Sequence, residues 1–129
     1  MSENLVNCDK VYVNNSTVCD GYGAFARNNI KQGELIESGI ARVLTNCNGH
    51  ENPVVFTWSN DIPNTTWAMA SGCAPFYNSS NNANSKMIRD FNDNTFTIIA
   101  TRNIEQDEEL FHTYKSLQWR ECFSDIRSL

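Results

Sequence analysis

The sequence predicts a mainly β protein made of several small antiparallel sheets. Short β-branched and aromatic runs recur along the chain, and Asn-, Gly- and Pro-containing turns separate them. Strands do not alternate with helices, which excludes a doubly wound nucleotide-binding fold. The chain has 129 residues, of which 40% are hydrophobic, so we expect one modest core and a single domain, residues 1–129.

The strands of the first half follow from their residue patterns. Residues 10–15 (KVYVNN) alternate apolar and polar side chains, and residues 18–27 place two glycines in a turn before a short apolar strand. Residues 34–44 (ELIESGIARVL) predict a longer strand with a bulge or bend at Gly39. Residues 54–58 (VVFTW) are β-branched and aromatic, which is typical of a strand.

The second half is predicted to contain one hairpin, one further strand and two short helices. Residues 67–72 (WAMASG) suggest a short helix, and residues 86–102 read as strand, Asx-rich turn and strand. Residues 108–114 (EELFHTY) predict a strand, and residues 116–129 predict a C-terminal helix. The features of that helix are a cap at Ser116 and an apolar face of Trp119, Phe123 and Ile126.

Two segments of the chain resemble each other. ARNNIKQGEL (26–35) and ATRNIEQDEE (100–109) both place Asn-Ile, two polar residues and a tight turn between strands. Two turns that use the same local chemistry would explain this pattern, and so would an internal duplication.

Charge and cysteine content limit the partners and the compartment. The net charge of -5 argues against a nucleic-acid binder and weakly favours a basic partner. We expect no signal peptide and no membrane span, because the first residues lack a basic start and no apolar run is long enough. No CxxC or CxH pair occurs, which predicts free thiols in a reducing intracellular compartment and no metal site. The cysteines are Cys8, Cys19, Cys47, Cys73 and Cys122.

Three motifs occur in a specific order. GYGAFA starts at Gly21, FYNSSNNAN starts at Phe76, and FTIIATRNIEQDEELFHTY starts at Phe96, with Trp119 five residues after Tyr114. This order resembles the SET domain of protein-lysine methyltransferases, most of all the minimal chlorella-virus type, over a core of about residues 10–120. The resemblance implies a SET-like β-clip fold whose C-terminal segment threads under a loop in a knot-like arrangement. The small viral relatives are dimers, so it also implies a homodimer.

The resemblance implies a site for S-adenosylmethionine. Asn78 begins the counterpart of the family's Asn-His-Ser-x-x-Pro-Asn box, whose Asn side chain and following backbone, here at Ser79, would hold the cofactor's ammonium and adenine. Asn84 matches the last Asn of the box, and Trp119 falls where the viral form places an aromatic ring over adenine. The family's GxG motif, whose backbone lies along the methionine part of the cofactor, is matched by Gly21, Tyr22 and Gly23.

The resemblance also implies a catalytic tyrosine and a lysine channel. Tyr114 matches the near-invariant catalytic tyrosine. Tyr77, Phe111 and His112 would line the substrate channel, with His112 where Phe or Tyr tunes the number of methyl groups. The adjacent Glu108 and Glu109 point to opposite faces of a strand, so we expect one solvated acid and one structural partner.

Some positions depart from the family pattern. Ser79 replaces the His of the box, Ala83 replaces its Pro, and Lys115 replaces the Gly after the tyrosine. The implied function is S-adenosylmethionine-dependent methylation of a lysine side chain on a protein substrate. These departures and His112 keep open a second hypothesis, a catalytically weak SET-like module that binds a peptide or protein. A third is a small β-rich interaction protein.

Overall fold

The computed structural model describes residues 4–45, 55–59 and 66–112. The predicted C-terminal helix and the knot-like threading lie outside these residues. Within the described part, the chain contains no helix long and apolar enough to span a bilayer. The described residues form nine strands and one 3-10 helix: β1 Val11–Asn15, β2 Tyr22–Ala26, β3 Leu35–Leu44, β4 Phe56–Thr57, β5 Trp67–Ala70, the 3-10 helix Ala74–Phe76, β6 Asn78–Ser79, β7 Ser85–Asp90, β8 Thr95–Ala100 and β9 Glu109–His112.

The strands form two sheets, as the predicted fold class requires. One sheet has the order β1-β2-β9-β6, and the other has the order β4-β5-β3-β8-β7. All neighbours are antiparallel except β6 and β9, which run parallel. This exception places the candidate box directly beside the strand that leads towards Tyr114.

The core consists of side chains that alternate inward along the strands. In β8, Phe96, Ile98 and Ala100 are buried while the residues between them are partly exposed, which is the period expected of a strand with one face in the core. Antiparallel pairing of β7 with β8 confirms the predicted hairpin. The register shifts near the start of β3, between Leu35 and Glu37, so the predicted bulge occurs earlier than Gly39.

The predicted helix at residues 67–72 is wrong. Trp67–Ala70 is strand β5, which pairs with β3 on one side and β4 on the other. Alanine and methionine favour helices by only a few tenths of a kcal/mol per residue over strand formers. The ladder bonds to two neighbouring strands and the burial of Trp67, Ala68 and Ala70 outweigh that preference.

The two segments of similar sequence pair with each other. Ile30 and Ile104 exchange both backbone hydrogen bonds, at 2.8 and 2.7 Å. Asn103 Oδ1 accepts a bond from the amide of Gln32, and Asn29 Oδ1 accepts the equivalent bond from the amide of Gln106. The repeated sequence therefore has a structural reason, because each turn supplies the asparagine that caps the other turn.

The equivalent positions Gly33 and Asp107 both have positive φ, 87° and 67°. A side chain at Gly33 would meet no atom within 4 Å, so only backbone strain opposes a substitution there. We predict that Gly33→Ala lowers the free energy of unfolding by about 1–2 kcal/mol, whereas Gly33→Asn costs less because Asn tolerates the left-handed region. Urea unfolding of both variants tests this. Equal losses would show that the left-handed conformation is not the constraint.

Candidate active site

A buried carboxylate organises the region where the candidate cofactor residues meet. Glu109, in β9, is 5% exposed. It accepts hydrogen bonds from Ser16 Oγ at 2.9 Å, from the Thr17 amide at 2.8 Å and from Thr17 Oγ1 at 2.7 Å. Asn78 Nδ2 donates a further bond to it at 3.0 Å. Strand β9, the β1–β2 connection and the candidate box therefore converge on one side chain.

The hydrogen bonds keep Glu109 ionised. Burial raises the pKa of this carboxyl, but the bonds from Thr17, Asn78 and Ser16 outweigh burial and hold the pKa below its usual value. An ionised carboxylate can only accept hydrogen bonds. Glu109 therefore dictates which end of the Asn78 carboxamide faces it.

The orientation of Asn78 follows from this constraint. Its Nδ2 points to Glu109 and also donates to the carbonyl of Tyr22 at 3.0 Å. Within the described ranges, no donor reaches Oδ1 of Asn78. The carboxamide is thus fixed beside the backbone of the Gly21–Gly23 motif, with an Oδ1 that accepts no hydrogen bond from the described residues.

The two glycines of this motif differ in their surroundings. A Cβ atom at Gly23 would lie 2.5 Å from Glu109 Oε2 and 3.4 Å from Asn78 Nδ2, so no side chain fits there. A Cβ atom at Gly21 would meet only Cys19 Sγ, at 3.9 Å. Gly23 is therefore required by the Glu109 network itself, whereas Gly21 leaves the adjacent surface open.

An open cleft of about 500 Å³ lies beside this network. Tyr22 is 64% exposed at its edge, and its ring meets Phe76 edge-on with centroids 6.4 Å apart. The cleft is lined by Asn15, Ser16, Cys19, Asp20, Gly21 and Tyr22.

The other face of the parallel β6–β9 pair is aromatic. Successive residues of a strand point to opposite faces, so His112 lies opposite Phe111 and Glu109. Its ring stacks on Tyr77, with centroids 5.3 Å apart and planes inclined by 10°. Phe56 meets the imidazole edge-on at 6.1 Å. Asn78 and the predicted channel residues Tyr77 and His112 thus occupy two faces of one strand pair. Phe111, also predicted to line the channel, lies on the face of Asn78.

The aromatic face is electrically neutral around His112. Burial lowers the pKa of His112 to about 4, so the imidazole carries no charge at neutral pH. Burial raises the pKa of Tyr77 far above its usual value, with a further contribution from the Glu37 carboxylate. The Tyr77 hydroxyl donates to Glu37 Oε1 at 2.9 Å. Ser79 Oγ, also buried, has no hydrogen-bond partner among the described residues.

Asn84 holds strand β9 in place. It is fully buried, its Oδ1 accepts the Phe111 amide at 2.8 Å, and its Nδ2 donates to the Glu109 carbonyl at 2.8 Å. Its Nδ2 also donates to Glu108, which forms an ion pair with Arg102 at 2.9 Å. Glu108 and Glu109 therefore serve two roles, one partly solvated and one structural, as their adjacency on a strand predicts.

The structure brings Gly21, Tyr22, Gly23 and Asn78 together, while Ser79 belongs to the aromatic side. Tyr114, Lys115 and Trp119 lie outside the described residues, so their roles stay predictions. Sequence reasoning did not find Ser16, Thr17 and Glu37. No local signal could have found the first two, because Glu109 follows Ser16 by 93 positions.

The buried imidazole predicts a pH dependence. Unfolded histidine takes up a proton near pH 6.5, but folded His112 does so only near pH 4. Between these values the unfolded state binds more protons, so stability is complete above pH 6.5 and falls as pH falls. We predict a loss of up to about 3 kcal/mol in unfolding free energy, which His112→Phe removes.

Urea unfolding at pH 7.5, 5.5 and 4.5 measures this loss. His50→Gln, which changes the other histidine, is the matched control and should follow the wild type. Parallel pH profiles for the wild type and His112→Phe would contradict a neutral, buried His112.

Comparison with known proteins supplies the family. The SET domain profile matches residues 21–115. No curated protein matches the chain. A crystal structure of a candidate histone methyltransferase from Plasmodium falciparum has a TM-score of 0.66 and 22% identity, and the match covers 81% of this chain and 92% of that one.

Polycomb Repressive Complex 2 of Chaetomium thermophilum is also similar in structure. Its complex with the inhibitor GSK126 has a TM-score of 0.67 and 20% identity, covering 82% of this chain and 15% of that one. Its autoinhibited form bound to S-adenosylmethionine has a TM-score of 0.67 and 19% identity, and the match covers 85% of this chain and 16% of that one. These similarities show a shared fold. Together with the profile match over most of the sequence, they show that this chain belongs to the SET domain family.

Proposed function

We propose that this chain is an S-adenosylmethionine-dependent methyltransferase that acts on a lysine side chain of a protein. The observation that carries the proposal is the Asn78 carboxamide, fixed by Glu109 and Tyr22 beside Gly23 with Oδ1 left as an acceptor. Membership of the SET family and the similarity to a protein described as a histone methyltransferase support this function.

The site residues fit an amino-acid-like cofactor. A primary ammonium needs acceptors, and Asn78 Oδ1 is a carbonyl oxygen that no described residue occupies. The missing side chain at Gly23 lets a ligand approach the backbone closely.

The aromatic face fits a lysine stem. Lysine has an unperturbed pKa of about 10.4, and its ammonium must lose a proton before its nitrogen can react as a nucleophile. Low-dielectric surroundings favour the neutral amine. His112, being neutral, adds no charge to such a channel, and the fully buried Tyr77 supports it from the core side, with its ring stacked on His112 and its hydroxyl bonded to Glu37.

When bound, S-adenosylmethionine supplies a methyl group activated by its sulfonium, so the protein need not supply an acid or a metal for activation. The contribution of the chain is to orient the two reactants and to exclude water between them. We assign the final alignment of the amine to the hydroxyl of Tyr114, by resemblance to the family.

We further propose that residues 1–129 form one domain of the minimal, viral or microbial type and that the protein acts as a homodimer. We place it in a reducing intracellular compartment, because Cys8, Cys19 and Cys73 are free thiols in the structure. The substitutions at Ser79, Ala83, His112 and Lys115 favour a second function, a SET-like binding module with weak catalysis.

Cofactor affinity distinguishes the two functions. We predict that S-adenosylmethionine and S-adenosylhomocysteine bind the purified protein with a micromolar Kd. Asn78→Ala should weaken binding at least tenfold, because it removes an acceptor for the charged ammonium, a bond worth about 1.5–3 kcal/mol.

Isothermal titration calorimetry measures these affinities. Asn82→Ala is the matched control, because Asn82 is an exposed residue of the same loop, and we expect it to bind like the wild type. A folded wild-type protein that binds neither compound would contradict the methyltransferase and favour the binding module.

A further inference from the structure

A second polar cluster lies away from the cofactor side. Cys8 Sγ, Cys73 Sγ and a carboxylate oxygen of Glu37 all lie within 4.8 Å of one another. Cys8 lies in the segment before β1, Glu37 lies in β3, and Cys73 lies in the turn before the 3-10 helix. Their separation in sequence explains why no cysteine spacing motif predicts a metal site here.

Glu37 is oriented towards this cluster by its neighbours. Its side chain is fully buried, and its two oxygens accept bonds from the Tyr77 hydroxyl at 2.9 Å and from the Cys73 amide at 2.8 Å. Gly72 passes so close that a Cβ atom there would collide with Glu37 Oε2. Hydrogen-bonded carboxylates of this kind are typical metal ligands, because the outer bonds fix their direction.

The Glu37 carboxylate has no cationic partner in the described part of the chain. The ion pairs found there join Lys10 to Glu34 and Arg102 to Glu108. A buried negative charge is costly unless a cation or strong hydrogen bonds compensate it. The bonds from Tyr77 and Cys73 compensate part of this charge, and a metal ion beside the two sulfur atoms would compensate it further.

The donor set selects the ion. Thiolate sulfur together with carboxylate oxygen suits Zn²⁺, which binds at about 2.3 Å to sulfur and about 2.0–2.2 Å to oxygen. Both cysteines are partly exposed, so water can reach the cluster. Three protein ligands with an accessible side leave one position of a tetrahedral site for water.

We propose that Cys8, Glu37 and Cys73 bind one Zn²⁺ ion, with water as the fourth ligand. Binding forms two Zn–S bonds and one Zn–O bond, and each thiol releases its proton to solvent. The ion would fix the segment before β1 to the turn that leads into Tyr77 and Asn78. Its binding requires no cofactor, so it can be tested independently of methyl transfer.

Cobalt titration under anaerobic, reducing conditions tests the site on the full chain. Co²⁺ bound by thiolate gives a charge-transfer band in the near ultraviolet, and Zn²⁺ should abolish it. We expect the band to saturate at one equivalent. Cys8→Ser should weaken cobalt binding at least about tenfold, since it removes a direct ligand and outer-shell changes alone cost 10–100-fold.

The matched control retains only the two proposed sulfur ligands. The triple variant Cys19→Ser, Cys47→Ser, Cys122→Ser should give the wild-type band and stoichiometry. Cys8 lies on the partly exposed segment before β1, so Cys8→Ser should fold, and circular dichroism checks this. The cobalt titration of the wild-type protein tests the site whether or not any variant folds.

Three results would overturn the proposal. One is a folded wild type that gives no charge-transfer band, and another is a band that disappears in the triple variant. The third is an intact mass, measured without reductant on protein from a reducing cytosol, that shows a Cys8–Cys73 disulfide in place of a metal-binding pair.

Discussion

The carboxylate of Glu109 is the interaction on which the rest of the candidate site depends. It is buried, yet no described basic residue forms an ion pair with it. Donors from Ser16, Thr17 and Asn78 compensate its charge. Hydrogen bonds to a charged group contribute about 1.5–3 kcal/mol each, so several of them can outweigh the cost of desolvation.

Three features follow from this one carboxylate. The amide end of Asn78 must face it, which turns the carbonyl end away from it. The backbone at position 23 must carry no side chain, because a Cβ atom would displace the carboxylate. The segment between β1 and β2 must close over it, and the bond from the Ser16 amide to the Gly21 carbonyl at 2.8 Å completes that closure.

Glu37 plays a comparable role on the aromatic side. It joins β3 to the turn at Cys73 and to the hydroxyl of Tyr77, which in turn stacks on His112. Each of these two buried acids therefore positions one side of the β6–β9 pair. The arrangement separates the polar groups around Glu109 from the stacked rings of Tyr77 and His112.

Much of the fold could be predicted from local patterns, whereas the site could be predicted only through resemblance. Alternation in β8 and the Asx-rich turn before it specify the hairpin. Residues 67–70 were predicted wrongly because their helix preference is weak and is outweighed by pairing with β3, a strand that is distant in sequence. The contacts of Glu109 and the cluster around Glu37 join residues far apart in the chain. Neither composition nor the spacing of residues predicts such contacts.

The most direct test is a double-mutant cycle on S-adenosylhomocysteine affinity with Glu109→Gln and Asn78→Ala. Glutamine keeps the size of Glu109 but presents a donor to the amide of Asn78. If Glu109 acts by orienting Asn78, Glu109→Gln should weaken binding about tenfold, and the double variant should bind no more weakly than Asn78→Ala alone. Wild-type affinity in folded Glu109→Gln, or fully additive losses, would contradict the account.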